Sequence, residues 1–348
     1  MRCILHIGTE KTGTTTLQSV LSQQRERLLS HGVHYAKAPG ELNCRSLAAA
    51  FTPQGVRDDY LTRTGLTEPE KFAQWRHDLL AQIKQEIAAA RGRCHTYILS
   101  SEHLSSRLTT VSSVKHLAEY LCSEFEEIRV VCYLRRQDLL ATSRISEGLR
   151  AGFPQRWFPD LVNNAGLPPL YDYEALIKRW AACFGESAIQ LRIFQRSQLV
   201  GGDVVADFSE NQLEVPLGQD GRETSNVSLS LVAQLALMMF NHAMGVEARF
   251  HVSKHRRELA QYLERVAPGA DGKPSRSKAL AFYEHFRRGN GYLADRYFQR
   301  PLLFDEDFEG YPEHELEADT ELAASLLRDF YLSGFLGRDC ADETNISA

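Results

Sequence analysis

Arg2-Cys3-Ile4-Leu5-His6-Ile7-Gly8-Thr9-Glu10-Lys11-Thr12-Gly13-Thr14-Thr15-Thr16-Leu17 is the stretch on which the fold turns. A short apolar run from Arg2 to Ile7 stops at a glycine, as the buried strand of a parallel sheet does. After the turn Gly8 to Gly13, Leu17, Val20, Leu21, Leu28 and Leu29 recur at helical spacing up to Gly32. The order is strand, glycine loop, helix. Successive backbone N–H groups in such a turn, together with the positive end of the helix dipole, form a site for a phosphate-like anion. The glycine spacing is that of a nucleotide-binding P-loop, but Thr14 stands where such loops carry a lysine, and the lysine is inside the loop, at position 11. Read as structure alone, the segment is a glycine turn with a solvated lysine.

Working outward, Val33 to Tyr35 reads as a short strand, and Ala38 to about Leu66 has no clear period. Thr67 and Glu70 form a capping-box pattern ahead of Phe72, Trp75, Leu79, Leu80, Ile83 and Ile87 on one helical face, ended by Gly92. Thr96 to Leu99 is a strand leading to Ser100, Ser101, Glu102 and His103, and Leu117, Leu121 and Phe125 mark the next helix. Ile128 to Leu134 is a near-continuous apolar strand broken by Arg135 and Arg136. A loop over 151–170 precedes a helix near Tyr171 to Phe184, then a strand from Ile189 to Phe194. Leu229 to Met244 and Glu321 to Leu332 are helical by period, and Lys254 to Arg288 is a polar, basic insert. Strands alternating with helices predict an α/β fold, a P-loop-type, mostly parallel sheet with helices on both faces, plus a helical C-terminal part. The expected division is an α/β core over 1–210 and a mainly helical, acceptor-side extension of the same domain over 211–348. Ligands of such sheets bind beyond the carboxyl ends of the strands, where all three polar clusters fall.

Composition narrows the function. The chain has 348 residues, 43% of them hydrophobic and 24% charged, enough to bury a full core. Lysine plus arginine total 40 against 45 acids, a net charge of −5, which argues against bulk binding to nucleic acid or an anionic membrane. No apolar run approaches the roughly 18 to 20 residues of a membrane span, and the first one is too short for a signal peptide. The expectation is a soluble, cytoplasmic protein. The seven cysteines are scattered, with no pair at CxxC spacing, and read as reduced core thiols rather than metal ligands or disulfides.

A second anion clamp is suggested by Arg135 and Ser143, eight residues apart, one at a strand end and one about two turns into the following helix. Arginine would supply a forked, charge-assisted contact and serine a hydroxyl. Alone, this spacing means little; beside the loop it means more.

With these residues in place the sequence resembles the sulfotransferase family, which takes its sulfuryl group from 3′-phosphoadenosine 5′-phosphosulfate (PAPS). In that family a Lys-Thr/Ser-Gly-Thr-Thr loop after the first strand holds the 5′-phosphosulfate, and an arginine followed eight residues later by a serine holds the 3′-phosphate. Lys11-Thr12-Gly13-Thr14-Thr15 and Arg135 with Ser143 match both, in order and setting. Arg135-Arg136-Gln137-Asp138 and the weaker Asn226-Val227-Ser228-Leu229 look most like bacterial, carbohydrate-type members. The resemblance is strong over 1–150 and thin afterwards, and Asn43 and Cys44 stand in a segment where many bacterial relatives carry a histidine. It implies PAPS as donor, Lys11, Thr12, Gly13, Thr14, Thr15, Thr16, Arg135 and Ser143 as its binding residues, no required metal, and a hydroxyl acceptor on a saccharide or glycolipid. A sulfuryl group carries less charge than a phosphoryl group, so lysine and backbone donors can meet the charge building on the leaving oxygen, a role for Lys11.

The acceptor hydroxyl must lose a proton, which calls for a base. Glu102 and His103 are the candidates; His103-Leu104 resembles the step carrying the catalytic histidine of cytosolic sulfotransferases, whereas glycan-modifying members often use glutamate. Glu102 read as structure caps the next turn or orients Lys11, and His34 reads as structural. Lys254-His255-Arg256-Arg257 and Arg287-Arg288 read as solvated helix faces, and Phe153, Trp157 and Phe158 either stack on a sugar or close the core. Two other functions compete. A P-loop kinase or nucleotide hydrolase is disfavoured by Thr14 and by a strand ending in arginines instead of a metal-holding aspartate. A nucleotide-binding protein without catalysis requires that neither Glu102 nor His103 face the sulfur.

Overall fold

The computed structural model describes residues 1–53, 56, 58–154, 158, 167–213, 215–218, 229–245 and 253–342. Five parallel strands, β1 (Arg2–His6), β2 (Val33–Tyr35), β3 (Thr96–Ser100), β4 (Glu127–Leu134) and β5 (Ile189–Ile193), form one sheet in the order β2-β3-β1-β4-β5. The fold is thus α/β, and the five strands read from hydrophobic runs lie within a residue or two of their observed ends. β1 is the central strand because Cys3, Ile4 and Leu5 are fully buried, with no polar face to offer solvent.

Alternation along the strands assigns the faces. Ile4, Ile98, Val131 and Tyr133 pack with Leu17, Val20 and Leu21 of helix Thr14–Gln23 and with Val205 and Phe208 of helix Val204–Phe208. On the opposite face the Tyr97 ring lies 5.4 Å from Phe125, at the end of helix Val111–Glu124. Fully burying a side chain of this size stabilises by roughly 1.5–3 kcal/mol. Beneath the β4–β5 edge a buried polar knot replaces apolar packing. Asp207 accepts from Tyr133 Oη (2.7 Å) and Arg192 Nε (2.9 Å), so its charge is compensated.

The chain divides into two compact units, 1–136 with 166–225 and 286–305, and 137–165 with 226–285 and 306–348. The first holds the sheet. The second is helical, and its core is built from Ile145 and Leu149 of helix Gln137–Arg150, Ala236, Leu237 and Phe240 of Leu231–Met244, Leu259 and Leu263 of Ser253–Val266, and Ala323 and Leu326 of Thr320–Asp342.

Several local readings need correction. Helix Pro69–Ala90 is capped by Glu68 without a side-chain bond, so the Thr67/Glu70 box does not form; Pro69 sets the first helical position and shifts the start by one residue. The segment without a period contains two short helices, Arg45–Ala50 and Asp59–Arg63, too brief to show one. The basic insert, whose charged runs read as helix faces, is indeed helical over Ser253–Val266, Arg276–His285 and Arg287–Leu293. Within it Arg256 is buried and donates to Asn241 Oδ1 (2.8 Å), while Lys254, His255, Arg257, Arg287 and Arg288 are exposed. Cys3, Cys44, Cys94 and Cys132 are buried thiols as expected, whereas Cys122 is exposed. Among the described residues no helix is long and apolar enough to cross a membrane.

Candidate functional site

Because the strands are parallel, the segments leaving β1, β3 and β4 emerge at one edge. His6 is level with Ser100 on one side and Val131 on the other. That edge beside the central strand is where the strand order reverses, since β1 stands between β3 and β4.

The loop after β1 is fixed to β4 before it turns. Ile7 N–H donates to Val131 O, Thr9 N–H to Tyr133 O (both 2.9 Å), and Tyr133 N–H to Gly8 O (2.6 Å). Two threonine hydroxyls are used inside the loop: Thr9 Oγ1 donates to Tyr133 O (3.0 Å) and Thr12 Oγ1 to Thr9 O (2.6 Å). Thr12 and Thr14 are buried, Thr16 is half-buried and Thr15 is exposed. Lys11 has a left-handed φ of 62° and Gly13 one of 74°. For lysine that is an uncommon conformation, of the kind that turns successive backbone N–H groups toward one side. Gly13 also leaves helix Thr14–Gln23 without a side-chain cap, so the capping position offers its first N–H groups no side-chain oxygen. A Cβ on Gly13 would come within 2.8 Å of Val204 Cγ1 and 3.2 Å of Phe194 Cε2, so glycine is required by packing as well as by φ.

Arg135 is brought directly onto this loop. Its Nη1 donates to Lys11 O (2.9 Å), its guanidinium lies 5.8 Å from the Phe194 ring centre, and its own carbonyl accepts from Tyr173 Oη (2.6 Å). The next residue, Arg136, turns away into an ion pair with Asp305 (2.9 Å). Ser143, half-buried, sits on helix Gln137–Arg150, in the second unit.

Glu102 and His103 follow β3. A Cβ on Gly8 would meet Glu102 Cα at 2.8 Å, which puts the acid against the first glycine of the loop. Glu102 Oε2 accepts from Gln18 Nε2 and Asn43 Nδ2, each at 3.0 Å, and Glu102 Oε1 lies 3.7 Å from His103 Nε2. Burial is the main cause holding the His103 pKa below its usual value; the carboxylate of Glu102 pulls it up, and Arg45 and Arg107 push it down. Burial thus favours the neutral imidazole. Its Nδ1 is buried without a hydrogen-bond partner. Arg45 is engaged elsewhere, by the fully buried Asp58 (2.6 Å) and by Asp59 (3.1 Å). Arg107 lies 3.5 Å from Asp58.

The structure thus gathers the loop, Arg135, Glu102 and His103 at one sheet edge. His34 is elsewhere, bonded to Glu86 (2.8 Å) and stacked on Tyr97, in agreement with a structural role. Phe158 packs edge-on against Phe282 (centroids 5.3 Å apart) within the second unit, and Phe153 is exposed. Trp157 and 226–228 lie outside the described residues. Gln18 was not singled out from the sequence, although a glutamine on the core-facing side of the first helix, between Thr14 and Leu21, was a legible signal. Among the described residues no group of His, Cys, Asp and Glu is placed to hold a metal ion.

No family model matches the chain. It is 25% identical over 193 residues to an uncharacterized protein of Archaeoglobus fulgidus, a match covering 54% of this chain and 51% of the other, so the chain spans about half the length of the curated relative it matches. A solved sulfotransferase structure from Alicyclobacillus acidocaldarius aligns with a TM-score of 0.38 and 16% identity, covering 71% of this chain and 95% of that one.

Proposed function

We propose that the protein is a sulfotransferase moving a sulfuryl group from PAPS to a hydroxyl of an acceptor, with a saccharide or glycolipid as the acceptor class. The observation that carries this reading is the bond between Arg135 Nη1 and Lys11 O, which joins two motifs 124 residues apart into one cationic, N–H-rich edge. The donor has two anionic ends. The left-handed turn at Lys11 and Gly13, with Gly13 giving the helix behind it no side-chain cap, suits the phosphosulfate; Arg135, with its permanent charge and forked guanidinium, suits the 3′-phosphate. The resemblance assigns Ser143 to the same phosphate.

In the reaction the acceptor oxygen bonds to sulfur, the bond from sulfur to the bridging phosphate oxygen breaks, and the acceptor proton goes to a base. Lys11 and the loop N–H groups stabilise the charge that builds on the leaving oxygen. Glu102 is the stronger candidate for base. Its carboxylate is anchored through one oxygen and open at the other, whereas His103 has one nitrogen buried and the other turned to Glu102. Nothing in Gly8–Thr16 or at the end of β4 supplies the lysine after the second glycine or the metal-binding aspartate that phosphoryl transfer uses, which places the kinase reading second. Turnover of radiolabelled PAPS against a panel of saccharides, phenols and amines tests the proposal. Labelled saccharide product supports it; donor binding with no turnover on any acceptor leaves a nucleotide-binding protein.

A further inference from the structure

We propose that Gln18 and Asn43 are positioning residues that together fix Glu102 so that Oε1 is its proton-accepting oxygen; what Glu102 does rests on the sulfotransferase reading above. The argument is an account of donors. A carboxylate only accepts, so both contacts to Oε2 must come from amide nitrogens, Gln18 Nε2 and Asn43 Nδ2, each at 3.0 Å. The second hydrogen of Gln18 Nε2 goes to Ser100 Oγ (3.2 Å). Ser100 Oγ also pairs with His6 Nδ1 (2.8 Å), in a direction set by the His6 tautomer, which leaves His6 Nε2 outside the set. That nitrogen is buried without a partner, and the ring stands edge-on to Tyr133 and Phe208 at 5.8 and 5.7 Å.

His6, Ser100 and Gln18 are essentially inaccessible to solvent. Gln18 is thus held from the buried side by Ser100, itself paired with His6, and donates its other hydrogen to Glu102. Asn43 is held independently, because its neighbour Cys44 donates its N–H to Ser100 O (2.9 Å). With Oε2 accepting twice, Oε1 is the oxygen left to receive a proton, and its neighbour His103 Nε2, at 3.7 Å, is beyond hydrogen-bond range. Gln18 lies on the helix that begins at Gly13, so the element presenting the anion loop also sets the base.

Gln18→Leu and, at the half-buried Asn43, the milder Asn43→Ala test this in kinetic double-mutant cycles with Glu102→Gln. Each single variant is expected to lower kcat roughly 10- to 100-fold, the order for misplacing a catalytic group, with KM for the donor changed less than about threefold. In the Glu102→Gln background each should add less than about twofold, since a residue acting through Glu102 has nothing left to position. Equal losses in both backgrounds, or unchanged kcat in both single variants, would overturn the inference. A parallel cycle read by urea unfolding needs no reaction: non-additive midpoints for Gln18→Leu with Glu102→Gln support the coupling, and additive ones refute it. If no acceptor is ever sulfated, the functional reading fails while this second cycle still decides the inference.

Discussion

Replacing Gly8 with alanine probes the closest approach in the site. Gly8 has φ +96°, and its added methyl would lie 2.8 Å from Glu102 Cα and 2.9 Å from Glu102 Cβ. Ordinary contact begins at 3.4 Å, so one partner must move by about 0.6 Å (3.4 − 2.8), and the partner is backbone. Placing alanine at positive φ costs roughly 1–2 kcal/mol, and overpacking roughly 1–3 kcal/mol. The sum, about 2–5 kcal/mol, is a large part of a typical stability of about 5–15 kcal/mol. Gly92→Ala separates the two contributions: Gly92 has φ +80°, but nothing lies within 4 Å of the added methyl. Urea unfolding followed by tryptophan fluorescence should place Gly8→Ala about 1–3 kcal/mol below Gly92→Ala. Equal stabilities would refute the close packing of Glu102 on the loop.

Three further outcomes follow from the same geometry. Arg135→Ala should weaken adenosine 3′,5′-bisphosphate by about 1.5–3 kcal/mol, and a nucleotide lacking the 3′-phosphate much less; equal weakening in calorimetry would remove Arg135 from that phosphate. Lys11→Ala should reduce turnover about a hundredfold or more while changing donor affinity less, because only stabilisation specific to the transition state accelerates the step; unchanged turnover at saturation would make Lys11 a plain phosphate contact. Burial lowers the His6 pKa to about 3 from 6.5, so between these pH values the unfolded chain binds the proton and the folded one does not. Stability should therefore fall as pH drops below about 6.5, by up to about 1.4 kcal/mol per pH unit from this group, and His6→Gln should flatten that fall; an unchanged pH profile of urea midpoints would contradict it.

What the sequence disclosed, and what it withheld, follows from the range of the interactions. β1, its glycine loop and the first helix were legible because two periods meet at Gly8, and β4 because an apolar run ends abruptly at Arg135. The parallel sheet followed from the alternation of such runs with helices. That Gln18 and Asn43 support Glu102 was not legible, since they reach it across 84 and 59 residues; the sequence shows only that Gln18 falls on the core-facing side of the first helix. The same holds for Asp207, which gathers Tyr133 and Arg192 from two strands. Short helices such as Arg45–Ala50 lack the two or three turns a period needs, and the Thr67/Glu70 cap lost to Pro69, whose fixed φ outweighs a pair of side-chain bonds.

Calorimetry of adenosine 3′,5′-bisphosphate in a chelating, magnesium-free buffer tests the central claim most directly. The account predicts saturable binding that weakens in both Lys11→Ala and Arg135→Ala, with a nucleoside triphosphate bound more weakly under the same conditions. Absence of bisphosphate binding, or tight triphosphate binding that appears only with magnesium, would contradict it and favour phosphoryl-transfer chemistry at the loop.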